Sequence, residues 1–116
     1  MNWHEVIEQR ALEMDEVIAR VLRQDLSKLE LVVAWIERFL AHPDYDIHSR
    51  DDLQEWLDLI KSGGLERVLK ALSDRSDEGR RMRQNSPFAV LMPQDERLRI
   101  LKKYEALRAR THPAGV

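Results

Sequence analysis

The chain of 116 residues contains no cysteine, which removes disulfide scaffolds, thiolate zinc sites and cysteine nucleophiles together. Glycine and proline are scarce, at 4 each, so collagen-like and low-complexity chains are excluded. Gly63-Gly64 is followed by Leu65-Glu66 and not by Lys-Ser or Lys-Thr, so there is no phosphate-cradling loop. A Gly-x-Ser-x-Gly elbow and the sheet to carry it are also missing. No apolar run approaches the roughly 18 residues of a membrane span. The opening Met1-Asn2-Trp3-His4-Glu5 has neither the basic nor the apolar region of a signal peptide, and the expected compartment is the cytosol.

What is present is 43% hydrophobic and 34% charged, the composition of a folded domain with one core. The expected organisation is a single helical domain over residues 1–111 and a flexible tail over 112–116. Apolar spacing reads as helix nearly throughout. A first helix is expected from Trp3 to about Arg23, with Asn2 and Glu5 as a capping box. Its apolar arc runs through Trp3, Val6, Ile7, Met14, Val17, Ile18 and Leu22 and is interrupted by Arg10. A second is expected after Ser27, boxed with Glu30 and stopped by His42-Pro43. Leu31 and Trp35 widen its apolar arc to roughly half the circumference, which predicts burial on two sides and a mostly buried Trp35. A third helix capped by Ser49 and Asp52 carries Leu53, Trp56, Leu57 and Ile60 and ends at Ser62-Gly63-Gly64. A short fourth carries Leu65, Val68, Leu69 and Leu72. A turn or two is expected around Asp77 to Gln84, and an irregular or 3₁₀ segment tucked onto the core at Phe88 to Met92, with extended structure as the alternative. A last helix should start with Pro93 in its first turn and run to about Arg110. The fold class is all-α: a single-domain bundle of five or six helices with an N-terminal antiparallel helix pair.

Charge is unevenly divided. Residues 1–74 hold 9 Lys and Arg against 16 Asp and Glu, and the remainder hold 10 against 5. That split implies either pairing between the halves or a basic segment kept for an acidic or polyanionic partner. His4, His42, His48 and His112 have no metal-ligand spacing. The loop Asp44-Tyr45-Asp46-Ile47-His48 with Asp51 and Asp52 lacks the register of a calcium loop, so caps and solvated side chains are expected there. No metal, cofactor or catalytic residue is expected. The Gly63-Gly64 turn between two helices has the punctuation of a helix-turn-helix, yet its second helix opens Leu65-Glu66-Arg67 beside Asp51, Asp52, Glu55 and Asp58, which would repel phosphate. Arg10, inside an apolar arc, must meet a carboxylate, reach solvent by snorkelling or face a partner.

The strongest basic signal is C-terminal. Arg80, Arg81 and Arg83 precede Ser86-Pro87-Phe88, and on the last helix, past Arg97, the residues Arg99, Lys102, Lys103 and Arg110 cluster opposite the stripe of Ile100, Leu101, Tyr104 and Leu107. Six of these, Arg83, Phe88, Arg97, Arg99, Lys102 and Lys103, are the candidate partner-binding residues, with Phe88 expected to fill a pocket and the cations to meet carboxylates. The opposing expectation is that Phe88 plugs the domain's own core while Arg83 and Arg97 are solvated.

The stretch from Arg83 through Ser86-Pro87-Phe88-Ala89-Val90-Leu91-Met92-Pro93 to Arg97, leading into Leu98-Arg99-Ile100-Leu101, resembles a segment of small helical bacterial proteins. Some of these are similar to antitoxin components of toxin–antitoxin modules. Met1-Asn2-Trp3 and Leu65-Glu66-Arg67-Val68-Leu69 fit the same likeness, which covers about a fifth of the chain. The resemblance implies a non-enzymatic protein-binding module, the neutralising partner of a toxin or effector encoded nearby. The alternative from another class is a nucleic-acid-binding transcriptional regulator that uses the basic C-terminal helix. Expected partners are therefore a protein, with a homodimer or nucleic acid as further options, and no membrane.

Overall fold

A computed structural model describes residues 2–42, 44 and 47–111, with the backbone alone at 47, 48, 110 and 111. The expectations for Pro43, Tyr45, Asp46, the His48 side chain and the 112–116 tail fall outside the described residues. Five α-helices follow in order: α1 Trp3–Gln24, α2 Ser27–Ala41, α3 Ile47–Ser73, α4 Asp77–Gln84 and α5 Gln94–Thr111, with a 3₁₀ segment at Pro87–Leu91. The all-α single-domain bundle read from the sequence is the fold found.

Local chemistry accounts for the boundaries. The Asn2 side chain accepts from the Glu5 amide at 2.9 Å, occupying one of the orphan donors of the first turn. The Ser27–Glu30 box is replaced by an acceptor further upstream. Asp25 Oδ1 takes both the Ser27 amide at 3.1 Å and the Ser27 hydroxyl at 2.5 Å. The two bonds hold Asp25 well below the usual carboxylate range, the hydroxyl contributing most. Ser76 caps α4 by accepting from Gly79, and Ser86 caps the 3₁₀ segment by accepting from Phe88, with Pro87 in its first turn. The C-terminal carbonyls of α2 find a donor from another helix, because Arg50 reaches across to Leu40 O at 2.7 Å and His42 O at 2.6 Å.

Two expected breaks move. The third helix starts at Ile47 rather than at a Ser49 cap, and it continues through Ser62 and Gly63. Only Gly64 leaves helical geometry, at φ 61° and ψ −156°, a conformation closed to residues with a Cβ. The expected third and fourth helices are therefore two arms of one kinked helix. A single-residue break is too short for the three- or four-residue turn of a helix-turn-helix.

Packing is organised about α1. Its Ile18 and Leu22 join the main core of Val32, Ile36, Leu53, Trp56, Leu57, Val68, Leu72, Met82, Phe88 and Leu91. Its Val6 and Val17 form a second cluster with Ile100 and Tyr104 of α5. The polar pairs fix direction: Arg20 meets Glu96, Glu13 meets Arg99 and Lys103, and Arg108 lies over the Trp3 ring. Residue numbers fall on one helix as they rise on the other, so α1 and α5 are antiparallel. In the same way Glu37 meets Lys61 while Leu40 and His42 meet Arg50, so α2 and α3 are antiparallel. The expected α1–α2 pair is thus secondary: α1 packs most extensively on α5, and α2 on α3.

The most constrained point is the fully buried Trp56. Its indole N–H donates to Met82 O at 2.8 Å, and its ring meets Phe88 edge-on at 5.2 Å. Three separate elements converge there. Phe88 is 0% exposed, which corrects its expected role as an aromatic offered to a partner. We expect Phe88→Ala to lower stability by about 3–5 kcal/mol, the range for emptying a buried aromatic site, measured as a lowered urea midpoint. A loss below about 1 kcal/mol would show that the ring is not part of the core.

Candidate functional site in an arginine-lined cleft

The six candidate residues separate into four situations. Phe88 is in the core. Arg83, on the last turn of α4, is 6% exposed at its side chain and turned inward. Its Nη1 donates to the backbone carbonyls of Asp74 and, at 3.4 Å, Ala71, and its Nε lies 3.6 Å from Asp15 Oδ2. Neither residue is the solvent-facing anchor expected from the sequence, and Arg83 is not the solvated cation of the opposing expectation either.

Arg99 and Lys103 form the third situation, on the α5 flank that meets α1. Lys103 Nζ stands 3.0 Å from Glu13 Oε2, and the Tyr104 hydroxyl donates to that oxygen at 2.6 Å. Arg99 is shared between Glu96 at 2.8 Å and Glu13 at 3.8 Å. The Tyr104 bond, helped by Lys103 and Arg99, holds Glu13 below the usual carboxylate range. Burial and the same bond push the Tyr104 hydroxyl up to about 12. These cations are occupied by this chain's own carboxylates.

Lys102 and Arg97 are the fourth. Both are exposed and have no hydrogen bond or ion pair among the described residues. Lys102 faces outward, four residues on from the exposed Leu98. Arg97 stands on the other flank of α5, at the rim of a cleft.

That cleft, of about 370 Å³, lies between α1, the end of α4, the 3₁₀ segment and the start of α5. Arg10, Arg83 and Arg97 line it together with Asp15. Arg10 also has no hydrogen bond or ion pair among the described residues. Of the three solutions open to it, the carboxylate pair is therefore not the one adopted: Arg10 is half-buried with its head at the cleft. Met14, Ile18, Met92 and Leu101 give the cleft an apolar side. A larger depression of about 520 Å³ between α3 and α4 has a different character. There Arg67 and Lys70 face Glu55, Asp58, Asp74 and Glu78, so its charges are locally compensated.

Sequence reasoning missed Asp15. On a helical wheel it falls about 20° beyond Leu22, at the margin of the apolar arc, where a short carboxylate reads as a boundary residue. It is buried at 8% exposure. Desolvation raises its carboxyl to about 7, against the lowering influence of Arg83. At 3.6 Å the pair is an ion contact without a short hydrogen bond, so Coulomb attraction offsets only part of the burial cost.

His4 and His42 are exposed, and the chemistry assigned to the other two histidines falls outside the described side chains. Among the described residues, no group of His, Asp and Glu converges as metal ligands would, and no helix is long and apolar enough to cross a membrane. Comparison with protein-family models, with curated proteins and with solved structures gives no match to this chain.

Asp15 makes stability depend on pH in a defined direction. Its carboxyl titrates higher in the folded chain than in the unfolded one, so the folded state holds the extra proton between about pH 4 and 7. Its destabilising contribution is absent at low pH, grows through that window and is complete above it. Asp15→Asn is therefore expected to stabilise the fold at pH 8, by an amount on the order of a few kcal/mol. The gain should shrink toward zero near pH 4 in denaturant titrations. A gain of the same size at both pH values would refute the assignment.

Proposed function

We propose that the chain is a protein-binding module that works without catalysis, in the manner of the neutralising partner of a bacterial toxin or effector. The observation that supports this reading is the open face of α2. The sequence predicts burial of that helix on two sides, and the fold, which packs it on α3, the 3₁₀ segment and α1, leaves a strip of it exposed at Leu31. Val32 and Ile36 are at 0% exposure, whereas Leu31 is 53% exposed. Trp35 is packed against the main core, as expected for it, and its ring lies against Phe39 at 5.5 Å. An exposed leucine beside the partly buried Trp35–Phe39 pair is the kind of apolar surface that a protein partner can cover.

The nucleic-acid alternative draws less support. A phosphate-binding face needs several free cations, yet Arg80, Arg81, Arg99 and Lys103 all meet carboxylates. Affinity carried by an apolar face should change little with salt, whereas phosphate neutralisation gives a steep fall.

The test is co-expression with the protein encoded by the adjoining gene, followed by size-exclusion chromatography at low and high salt. A stable, salt-tolerant complex is expected with the native chain. Leu31→Glu should weaken it at least about tenfold while leaving the melting temperature nearly unchanged, since exposed positions tolerate substitution within about 0.5 kcal/mol. No complex, a complex indifferent to Leu31→Glu, or self-association lost with the same substitution would each overturn the assignment to a foreign protein partner.

A further inference from the structure

We propose that the cleft between α1, the 3₁₀ segment and α5 is a binding site for a small aliphatic carboxylate, its head held by Arg10 and Arg97 above Arg83 and its tail laid along the apolar side. The site is independent of the α2 face. Two cations at one opening, neither engaged by a carboxylate among the described residues, stand beside a third that is almost wholly withdrawn from solvent. Guanidinium groups present paired donors that match the two oxygens of a carboxylate. The opposite side carries Met14, Ile18, Met92 and Leu101, and two thioether side chains adapt readily to a flexible chain. A head alone, such as inorganic phosphate, would leave that side unused. The volume of about 370 Å³ is at the small end of ligand pockets.

Asp15 sets when the site is most receptive. It lies between the cleft and a smaller depression behind α1. Arg10, Arg83 and Arg97 face it from the first, and Glu16, Arg23 and Arg75 from the second. Ionised, Asp15 is Arg83's counter-charge and repels a second carboxylate. Protonated, it leaves the three guanidiniums to the ligand. Its carboxyl titrates near neutrality because it is buried. Ligand binding therefore takes up a proton, and affinity falls as pH rises through about 7.

The experiment is an NMR titration of the full chain with octanoate at pH 6 and pH 8, with octyl phosphate, octanol and inorganic phosphate as separate arms. Saturable shifts are expected at amides of residues 10–18, 89–92 and 97–101, with several-fold tighter binding at pH 6. Arg10→Gln and Arg97→Gln, both at solvent-reaching positions, should each weaken octanoate about tenfold with an unchanged melt. Asp15→Asn should remove most of the pH dependence while keeping binding. The proposal fails if octanol binds as tightly as octanoate, if octyl phosphate binds more tightly, or if inorganic phosphate alone gives the same shifts. It fails equally if the shifts fall outside these segments or if the arginine variants bind like the native chain.

Discussion

A guanidinium withdrawn from water has to be satisfied on every side, and the middle of this fold is arranged around how that is done for Arg83. Its carbonyl acceptors, Ala71 and Asp74, belong to the end of α3 and the turn that follows it, and its counter-charge, Asp15, belongs to α1. One side chain on the short helix α4 therefore ties the end of α3 and the turn after it to α1, far away in sequence. The alternative, an unpaired buried charge, would cost several kcal/mol. The turn is shaped to the same end. Gly79 lies so close to the Asp74 backbone that a Cβ there would collide with its carbonyl oxygen, the acceptor that Arg83 uses. With α4 fixed in this way, Met82 O is presented to Trp56 and the 3₁₀ segment carries Phe88 onto the same indole.

The uneven charge of the two halves is, to a large extent, this chain addressing itself. Arg80 meets Glu8, Arg81 meets Asp52 and Glu55, Arg83 meets Asp15, and Glu13 collects Arg99 and Lys103. Most of these pairs are solvent-exposed and each contributes little to stability, on the order of 0–1 kcal/mol. Their larger effect is on register. Because Arg20 on α1 and Glu96 on α5 reverse the sign set by Glu13, Arg99 and Lys103, a shift of one turn would move Arg20 toward Arg99 or Glu96 toward Glu13, beside the Val6, Val17, Ile100 and Tyr104 cluster. Arg10, Arg97 and Lys102 are among the cations that this pairing pattern leaves unused.

Helix existence and type were legible because they are local: apolar spacing, Asn2 and the Pro87 and Pro93 positions all act within a few residues. What depended on long-range contact was not. The width of the α2 arc did not tell where the fold would stop covering it: Trp35 is packed against the core, and Leu31 is left 53% exposed. Glycine spacing at Gly63-Gly64 marked a break but not its size, which depends on one residue's φ and ψ. For the site, the sequence brought forward Arg10, Arg83 and Arg97 by separate routes, and the fold gathers all three at one cleft. Asp15 escaped because its meaning comes from a partner 68 residues away, and Phe88 was misplaced because a short apolar run has no periodicity to say which way it faces.

Residues that hold the fold and residues that serve its surfaces are different sets here, and that has a consequence for how function is separated from stability. Arg83 and Phe88 are so deeply engaged that any substitution disturbs the core, and a lost activity there would say nothing about binding. Arg10, Arg97, Lys102 and Leu31 have no polar partner among the described residues or stand largely in solvent, so the fold does not depend on them. Asp15 alone belongs to both sets. It is the counter-charge of a buried arginine, and its burial is costly when it is ionised. Asparagine in its place removes that cost and keeps a polar neighbour for Arg83, whereas an apolar side chain would leave the guanidinium with its backbone acceptors alone. The pair is a net expense to stability that an all-apolar contact would avoid, and what it supplies in return is a charge balance at the cleft that responds to pH and to an incoming anion.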